Sequence, residues 1–494
     1  MKLRVLKLAA CLNLLAFSIS GPALADDAQI FEMVKSMQKK MEEMQKTIYQ
    51  QDQKISQLEK RPAQIQTAAA NSDTAPTPPM SDYEFNERLG TATGGANKWL
   101  KDLTFKGDLR LRYEAFTNSA GNTAEEDTRN RFRYRLRYGF EKKFNEEMLA
   151  GFSMASGDAN TSNGLNQDPT STNTTFTNNF SFKNIWVEKA YATYMPNWAK
   201  VGPVTKLTVS GGKFDNPFEK GSSDMVWDRD VKPEGIYEKA DFAVISGSDV
   251  KMTGWMTAGQ MPTMEKQLHG PSAGDVGNSD AELFAEQIGL NTLLYTPILD
   301  RPLDHTIAAS FYGWNRYAKD SNFLIGAGNL ARGNSNATGN SADLDAGSFK
   351  VFELYNELAF YPFGLPVRPY ADFAHNMGAQ NVEGSTGTHE NSAWALGLKL
   401  GSLVKKHDWE ALYQYKYLGA NAVPGFNDSD FGYGGHSAAA GSVFKIGYAL
   451  TDYLTLNLGA YFVHYLNSST AGTLNAAGMD EQQRRFQTDL VWKF

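Results

Sequence analysis

The chain has 494 residues, 48 basic and 55 acidic side chains, a formal net charge of −7, seven histidines and one cysteine. The acidic balance excludes a nucleic-acid partner, which needs a basic footprint, and a lone cysteine excludes a disulfide framework. A charged fraction of 21% and a mean hydropathy of −0.44 suit a soluble protein. They equally suit a membrane barrel, in which only alternate strand residues meet lipid.

Residues 1–25 read as a secretory signal. Lys2, Arg4 and Lys7 form a basic start, Leu8 to Ile19 an apolar middle, and Ala23-Leu24-Ala25 a small-x-small cleavage site before Asp26. The apolar middle is too short, and too interrupted by Asn13 and Ser18, to anchor in a bilayer. Leu8-Ala9-Ala10-Cys11 matches an acylation box, but Lys7 leaves no apolar stretch before the cysteine. Cleavage after Ala25 removes Cys11 and takes the net charge to −10, with 45 basic against 55 acidic residues. No later run approaches the roughly 18 apolar residues that a spanning helix needs.

Residues 26–61 predict an α-helical coiled coil. Val34, Met41, Ile48 and Ile55 fall at a, and Ile30, Met37, Met44, Gln51 and Leu58 at d. Heptads without Gly or Pro favour self-association over a lone amphipathic helix, in a rod of roughly 45 Å at about 1.5 Å per residue. The a and d residues leave dimer against trimer open, and Gln51 weakens the seam. Residues 62–101 follow as a linker in which Pro62 ends the helix and Pro76, Pro78 and Pro79 stiffen the exit. Ser81 to Lys101 reads as a short helix or a plug.

From residue 102 to 494 the pattern has period two. In LTFKGDLRLRYEA, Leu103, Phe105, Leu109, Leu111 and Tyr113 oppose Lys106, Asp108, Arg110 and Arg112. In RNRFRYRLRYGFEKKF, Phe132, Tyr134, Leu136, Tyr138 and Phe140 oppose Arg131, Arg133, Arg135 and Arg137. A strand sends successive side chains to opposite faces, so each segment has one greasy and one charged face. An arginine facing hydrocarbon at mid-depth costs about 2–4 kcal/mol, so this row must line water.

Sixteen such strands begin near Leu103, Arg131, Met148, Phe182, Lys206, Gly235, Met252, Ala281, His305, Phe349, Val367, Ser392, Asp408, Ser442, Leu454 and Arg484. Short turns at Asn145–Glu147, Ser246–Asp249, Pro362–Leu365 and Thr451–Asp452 alternate with long loops. The long loops cover 118–128, 157–181, 215–234, 261–280, 318–347, 379–390, 420–440 and 467–483. The expected fold is all-β, a transmembrane antiparallel β-barrel of about sixteen strands. An even count places the coiled coil in the periplasm. Trp186, Tyr194, Trp198, Tyr361, Trp409, Tyr453 and Trp492 suit an aromatic girdle, and the last strand ends on Phe494.

Several segments together resemble a bacterial porin family whose members carry an N-terminal coiled coil. They are the heptads, the hairpin LTFKGDLRLRYE with RNRFRYRLRYGFE, SFKNIWVEKAYATY at 181–194, GGKFDNPF at 211–218 and DMVWDRDVKPEGI at 224–236. Asp-Asn-Pro-Phe and Val-Trp-Asp-Arg-Asp are the most specific. The resemblance implies an outer-membrane channel that is trimeric, and names no solute.

In trimeric porins the third long loop folds into the lumen. Here it carries the constriction candidates Asp215, Glu219, Lys220, Asp224, Asp228, Arg229 and Asp230, with Lys232, around Trp227. Facing it are the pore-lining candidates Arg110, Arg112, Arg131, Arg133, Arg135 and Arg137. Opposed acidic and basic walls set a transverse field; the alternative is that these charges pair across neighbouring strands and stabilise a wide barrel. Ion preference stays open between the two signs.

Gly270-Pro271-Ser272-Ala273-Gly274 fits a nucleophile elbow in letters only, because it follows no strand-to-helix turn and Pro271 forbids the geometry. The histidines lack zinc-ligand spacing; His375 and His464 are candidate pore lining. No metal, cofactor or catalytic residue is expected. The expected function is passive diffusion of small hydrophilic solutes or ions. The alternatives are an envelope tether and, last, a barrel hydrolase. The expected partners are outer-membrane lipid and lipopolysaccharide, two further copies of the chain and, through the coil, peptidoglycan.

Overall fold

The structure, a computed structural model, describes residues 102–119, 126–158, 168–177, 179–264, 280–315, 349–378, 390–432, 434–435, 437–466 and 482–494. The signal, the heptad seam from Ile30 to Leu58, the linker and the Gly270–Gly274 segment lie outside the described residues.

Among the described residues, seventeen strands form one antiparallel sheet. They are β1 (Leu103–Ser119), β2 (Glu126–Lys143), β3 (Met148–Ser156), β4 (Thr174–Thr175), β5 (Ile185–Tyr194), β6 (Val204–Lys213), β7 (Glu234–Ser246), β8 (Val250–Met264), β9 (Ala281–Leu294), β10 (Leu303–Asn315), β11 (Lys350–Ala359), β12 (Val367–Asn376), β13 (Ser392–Gly401), β14 (Trp409–Leu418), β15 (Ala439–Ala449), β16 (Leu454–Tyr465) and β17 (Gln482–Lys493). The two-residue β4 sits against β2. The other sixteen make a closed barrel, because β1 pairs with both β2 and β17. Closure leaves no edge strand to be satisfied in lipid. The seam is fastened at its end: the amide of Gly107 donates to the Phe494 carbonyl at 2.8 Å, and the amide of Phe494 donates to the Gly107 carbonyl at 3.1 Å. The Phe494 ring lies so close over Gly107 that a β-carbon there would collide with it.

β2 begins at Glu126, earlier than the Arg131 expected from the alternation, because the first hairpin stays in register out to Ser119 opposite Glu126. The faces follow the dyad. Phe105 and Phe132 are 71% and 59% exposed on the outside, while Glu114 on the inner face of β1 is fully buried at 0%. Tyr194, Trp198, Trp409 and Tyr453 are exposed near the short-turn rim, where an aromatic ring meets both lipid and headgroups. Trp186 departs from that girdle. A bulge opposite Ser153 and Met154 shifts the register of β5, and the indole donates to the Gly157 carbonyl at 3.1 Å.

Candidate pore and constriction

The loop between β6 and β7, residues 214–233, folds into the barrel. It is rich in apolar side chains that no soluble loop would expose, and it buries Phe214, Phe218, Met225, Val226, Trp227 and Val231. They pack on Met261, Leu283, Ala285, Tyr312, Trp314 and Val351 from the inner faces of β8 to β11. Each full burial of this kind is worth about 1.5–3 kcal/mol. The Trp227 ring lies 5.5 Å from Tyr312, edge-on, and 5.7 Å from Trp314. Gly221 approaches the wall so closely that a β-carbon would collide with Ala308. Hydrogen bonds fix the register. Gln287 donates to the Phe218 carbonyl at 2.8 Å, the Ser222 hydroxyl to Glu353 at 2.7 Å, and the Ser223 amide to Asp372 at 2.9 Å.

Two further segments meet this loop. Residues 419–438, between β14 and β15, bring Phe426 to stack 5.4 Å from Trp314. The amide of Asp228 donates to the Phe426 carbonyl at 2.6 Å, and the amide of Ser429 to the Asp228 carboxyl at 2.7 Å. From 168–177, Thr172 donates through its hydroxyl to Asp230 at 3.0 Å, and Ser429 donates to the Thr170 carbonyl at 2.8 Å. The lumen is thus occupied by three mutually bonded segments.

The six arginines of β1 and β2 all reach the interior, and most of their partners stand on the barrel wall. Arg112 makes a two-pronged bond to Asp489, 2.7 Å on each side, and meets Asp430 at 3.1 Å. Arg135 and Arg137 share Asp108 at 2.7 and 2.6 Å. Arg131 pairs with Glu114, which also holds Arg485 at 2.5 Å and lies 3.4 Å from Arg112 and 3.8 Å from Arg133. Arg110 donates to Asn173 at 2.6 Å and stands 3.9 Å from Asp489. Of the candidates on the 214–233 loop, Asp230 faces this row, 3.9 Å from Arg135 and 3.7 Å from Arg137.

Asp224 points the other way, to Lys416 at 3.2 Å, Lys445 at 3.7 Å and the Gln414 amide at 3.1 Å. Burial opposes its ionisation, but Lys416, Lys445 and Arg229 hold its carboxyl well below the usual range. Asp430 is likewise held ionised against burial by Arg112 and Arg485. For Asp228, burial and the neighbouring Asp230 and Asp428 push the carboxyl well above its ordinary value, although two backbone amides oppose this. Asp215 is taken up by Lys189 at 2.9 Å and Lys232 at 3.1 Å, and Lys220 sits 4.0 Å over the Trp255 ring.

A cavity of about 370 Å³ remains beside the folded loops. It brings together Arg110, Arg112, Arg135, Asp224, Asp228, Arg229 and Asp230. Arg131, Arg133, Arg137, Asp215, Glu219 and Lys220 do not line it. Its other charged walls, Arg368, Lys399, Glu410, Asp428, Asp430, Lys445 and Asp489, went unseen in the sequence. Asp108 is named in the alternating row, and Glu114, two residues beyond Arg112 on the same face, could have been found by the same alternation; Asp428-Ser429-Asp430 lies in a loop with no periodicity to place it. The two candidate histidines fall outside the lumen. On β12 the buried Tyr370, Asp372 and Ala374 take the even positions, so His375 faces outward and bonds to the Ser392 hydroxyl at 2.9 Å. On β16 the inner positions are Tyr461 and Val463, leaving His464 outside.

A closed barrel, apolar outside, charged inside and with loops folded into its bore, is the architecture of an outer-membrane channel. The family profile described as "Putative porin" matches residues 118–322 and 345–468, about two thirds of the chain. The chain belongs to that family, a family of outer-membrane channels. Among solved structures it is similar to OprB of Pseudomonas putida at high pH, with 11% identity and a TM-score of 0.44 over 83% of this chain and 97% of that one. It is also similar to OmpF of Salmonella typhi in complex with daunomycin, with 10% identity and a TM-score of 0.41 over 79% and 97%. No curated protein matches.

Proposed function

We propose that the chain is a homotrimeric porin through which small hydrophilic solutes or ions diffuse passively, each barrel narrowed by its own folded loops. The observation that carries this reading is the charged cavity of about 370 Å³ beside the 214–233 and 419–438 loops, a space for water and ions inside an apolar-faced barrel. Arg110, Arg112 and Arg135 stand on one side of it and Asp224 on the loop, so a solute would pass through a field set by both signs. The short-turn rim is read as periplasmic, with the coiled coil of residues 26–61 on that side, steadying the trimer or reaching peptidoglycan.

Purified protein inserted in a planar bilayer tests the channel: stepwise conductance is expected, and its absence across several preparations favours the envelope tether. Deleting residues 26–60 tests the coil. A smaller oligomer on a sizing column is expected, and an unchanged mass removes its role in trimerisation.

A further inference from the structure

Charge pairing in the cavity is uneven. Its carboxylates are nearly all matched: Asp224 has Lys416 at 3.2 Å, Asp428 has Lys416 at 2.9 Å, Asp430 has Arg485 at 2.8 Å, Asp489 has Arg112 at 2.7 Å and Asp230 has Arg137 at 3.7 Å. Asp228 accepts two backbone amides, from Asp230 and Ser429.

The cations are less well matched. Among the described residues, Arg229 on the folded loop and Arg368 on β12 have no ion-pair partner, and both line the cavity. Arg368 gives one bond to the Gly401 carbonyl at 3.1 Å, while its Nε is buried without an acceptor. The lining carries seven cations and seven carboxylates, and the guanidinium donors of Arg229 and Arg368 are the ones left available. Aromatic faces that would stack a sugar ring are not: Trp227, Trp314, Tyr312 and Phe426 pack on one another, and Tyr461 is the aromatic residue lining the cavity.

We infer that the lumen holds a docking site for a compact oxyanion, formed by Arg229 from the folded loop with Arg368 from the β12 wall and Lys445 at its flank. The inference rests on the channel reading and narrows its solute class. A guanidinium offers two parallel N–H donors that match two oxygens of one phosphate, sulfate or carboxylate group. The acidic residues lining the same cavity limit the affinity, and a permeating ion must be able to leave.

The test uses the full chain, inorganic phosphate and succinate. Chloride current in a planar bilayer is titrated with each anion, and binding of each to detergent-solubilised protein is measured by calorimetry. Saturable block and saturable heat are expected, and tighter phosphate or tighter succinate tells an inorganic from a carboxylate ligand. Losing a charged hydrogen bond, R229Q and R368Q should each raise the half-blocking concentration and the Kd about tenfold. Lys189 pairs with Asp215 at 2.9 Å and does not line the cavity, so K189Q should move either quantity less than about twofold if a site rather than a diffuse field is at work. Protein that binds phosphate but never conducts would defeat the channel reading and support the site. Conducting protein that neither binds phosphate nor is blocked by it overturns the site, as does a K189Q effect equal to that of R229Q.

Discussion

On the β8–β11 side of the lumen the 214–233 loop rests on Met261, Leu283, Tyr312, Trp314 and Val351. On the β1–β2–β17 side, the 419–438 loop is reached by Arg112 and Arg485 through Asp430. The first contact is apolar burial, indifferent to salt and nearly so to pH. The second is a network of ions, each of which needs its counter-charge once it has left water. The difference explains how one barrel interior both holds its loops and conducts. Apolar packing parks the 214–233 loop against one wall, and the charges on the other side stay beside the remaining space.

The charged wall should break most severely at Glu114. Glu114→Gln removes the carboxylate shared by Arg131 and Arg485 and close to Arg112 and Arg133, and the uncompensated buried charge should cost about 3–5 kcal/mol. A lower unfolding temperature on heating in detergent checks it. The aromatic wall should break at Trp227. Truncation of a buried Trp costs roughly 3–5 kcal/mol; part of that should be recovered as the loop leaves the wall, so Trp227→Ala should widen the pore with a smaller loss of barrel stability. Single-channel conductance then rises in this variant.

A gentler version of the same break is Gly221→Ala, whose added methyl meets Ala308. Overpacking of this size costs about 1–3 kcal/mol and should give noisier current with little change in unfolding temperature.

The smallest effect is on pH. Asp228 is pushed up by burial, Asp230 and Asp428, so its contribution is whole below the ordinary carboxylate range and is lost as pH rises through the raised value. Asp430 is held down by Arg112 and Arg485, so its contribution is whole above the ordinary range and is lost as pH falls. Loop fluctuations, read as current noise, should grow at both extremes, and Asp228→Asn should remove the high-pH limb alone.

The barrel was legible because its physics is local. Period-two alternation in segments such as RNRFRYRLRYGFEKKF names the strand and its lipid face without reference to any other strand, and alternating short and long connections name the two rims. The lumen was legible only in part, since its pairs are remote: Glu114 meets Arg485 across the closing seam, and Asp224 meets Lys416 across the bore. Alternation shows which residues face inward, but not which strand or loop stands opposite. The alternating row leaves two readings open, an acidic loop facing the arginines or pairing across neighbouring strands, and Asp108, Glu114 and Asp489 of the wall take most of the row. Trp186 was misplaced for a different reason, a bulge that changes face by one residue.

Adjacent residues of β15 offer the most direct test. Lys445 lines the cavity, while Phe444 is 44% exposed on the outer face. With the protein embedded in bilayers, a membrane-impermeant thiol reagent should modify Lys445→Cys and spare Phe444→Cys. Rapid modification of Phe444→Cys with protection of Lys445→Cys would contradict the assignment of water to the inside and lipid to the outside.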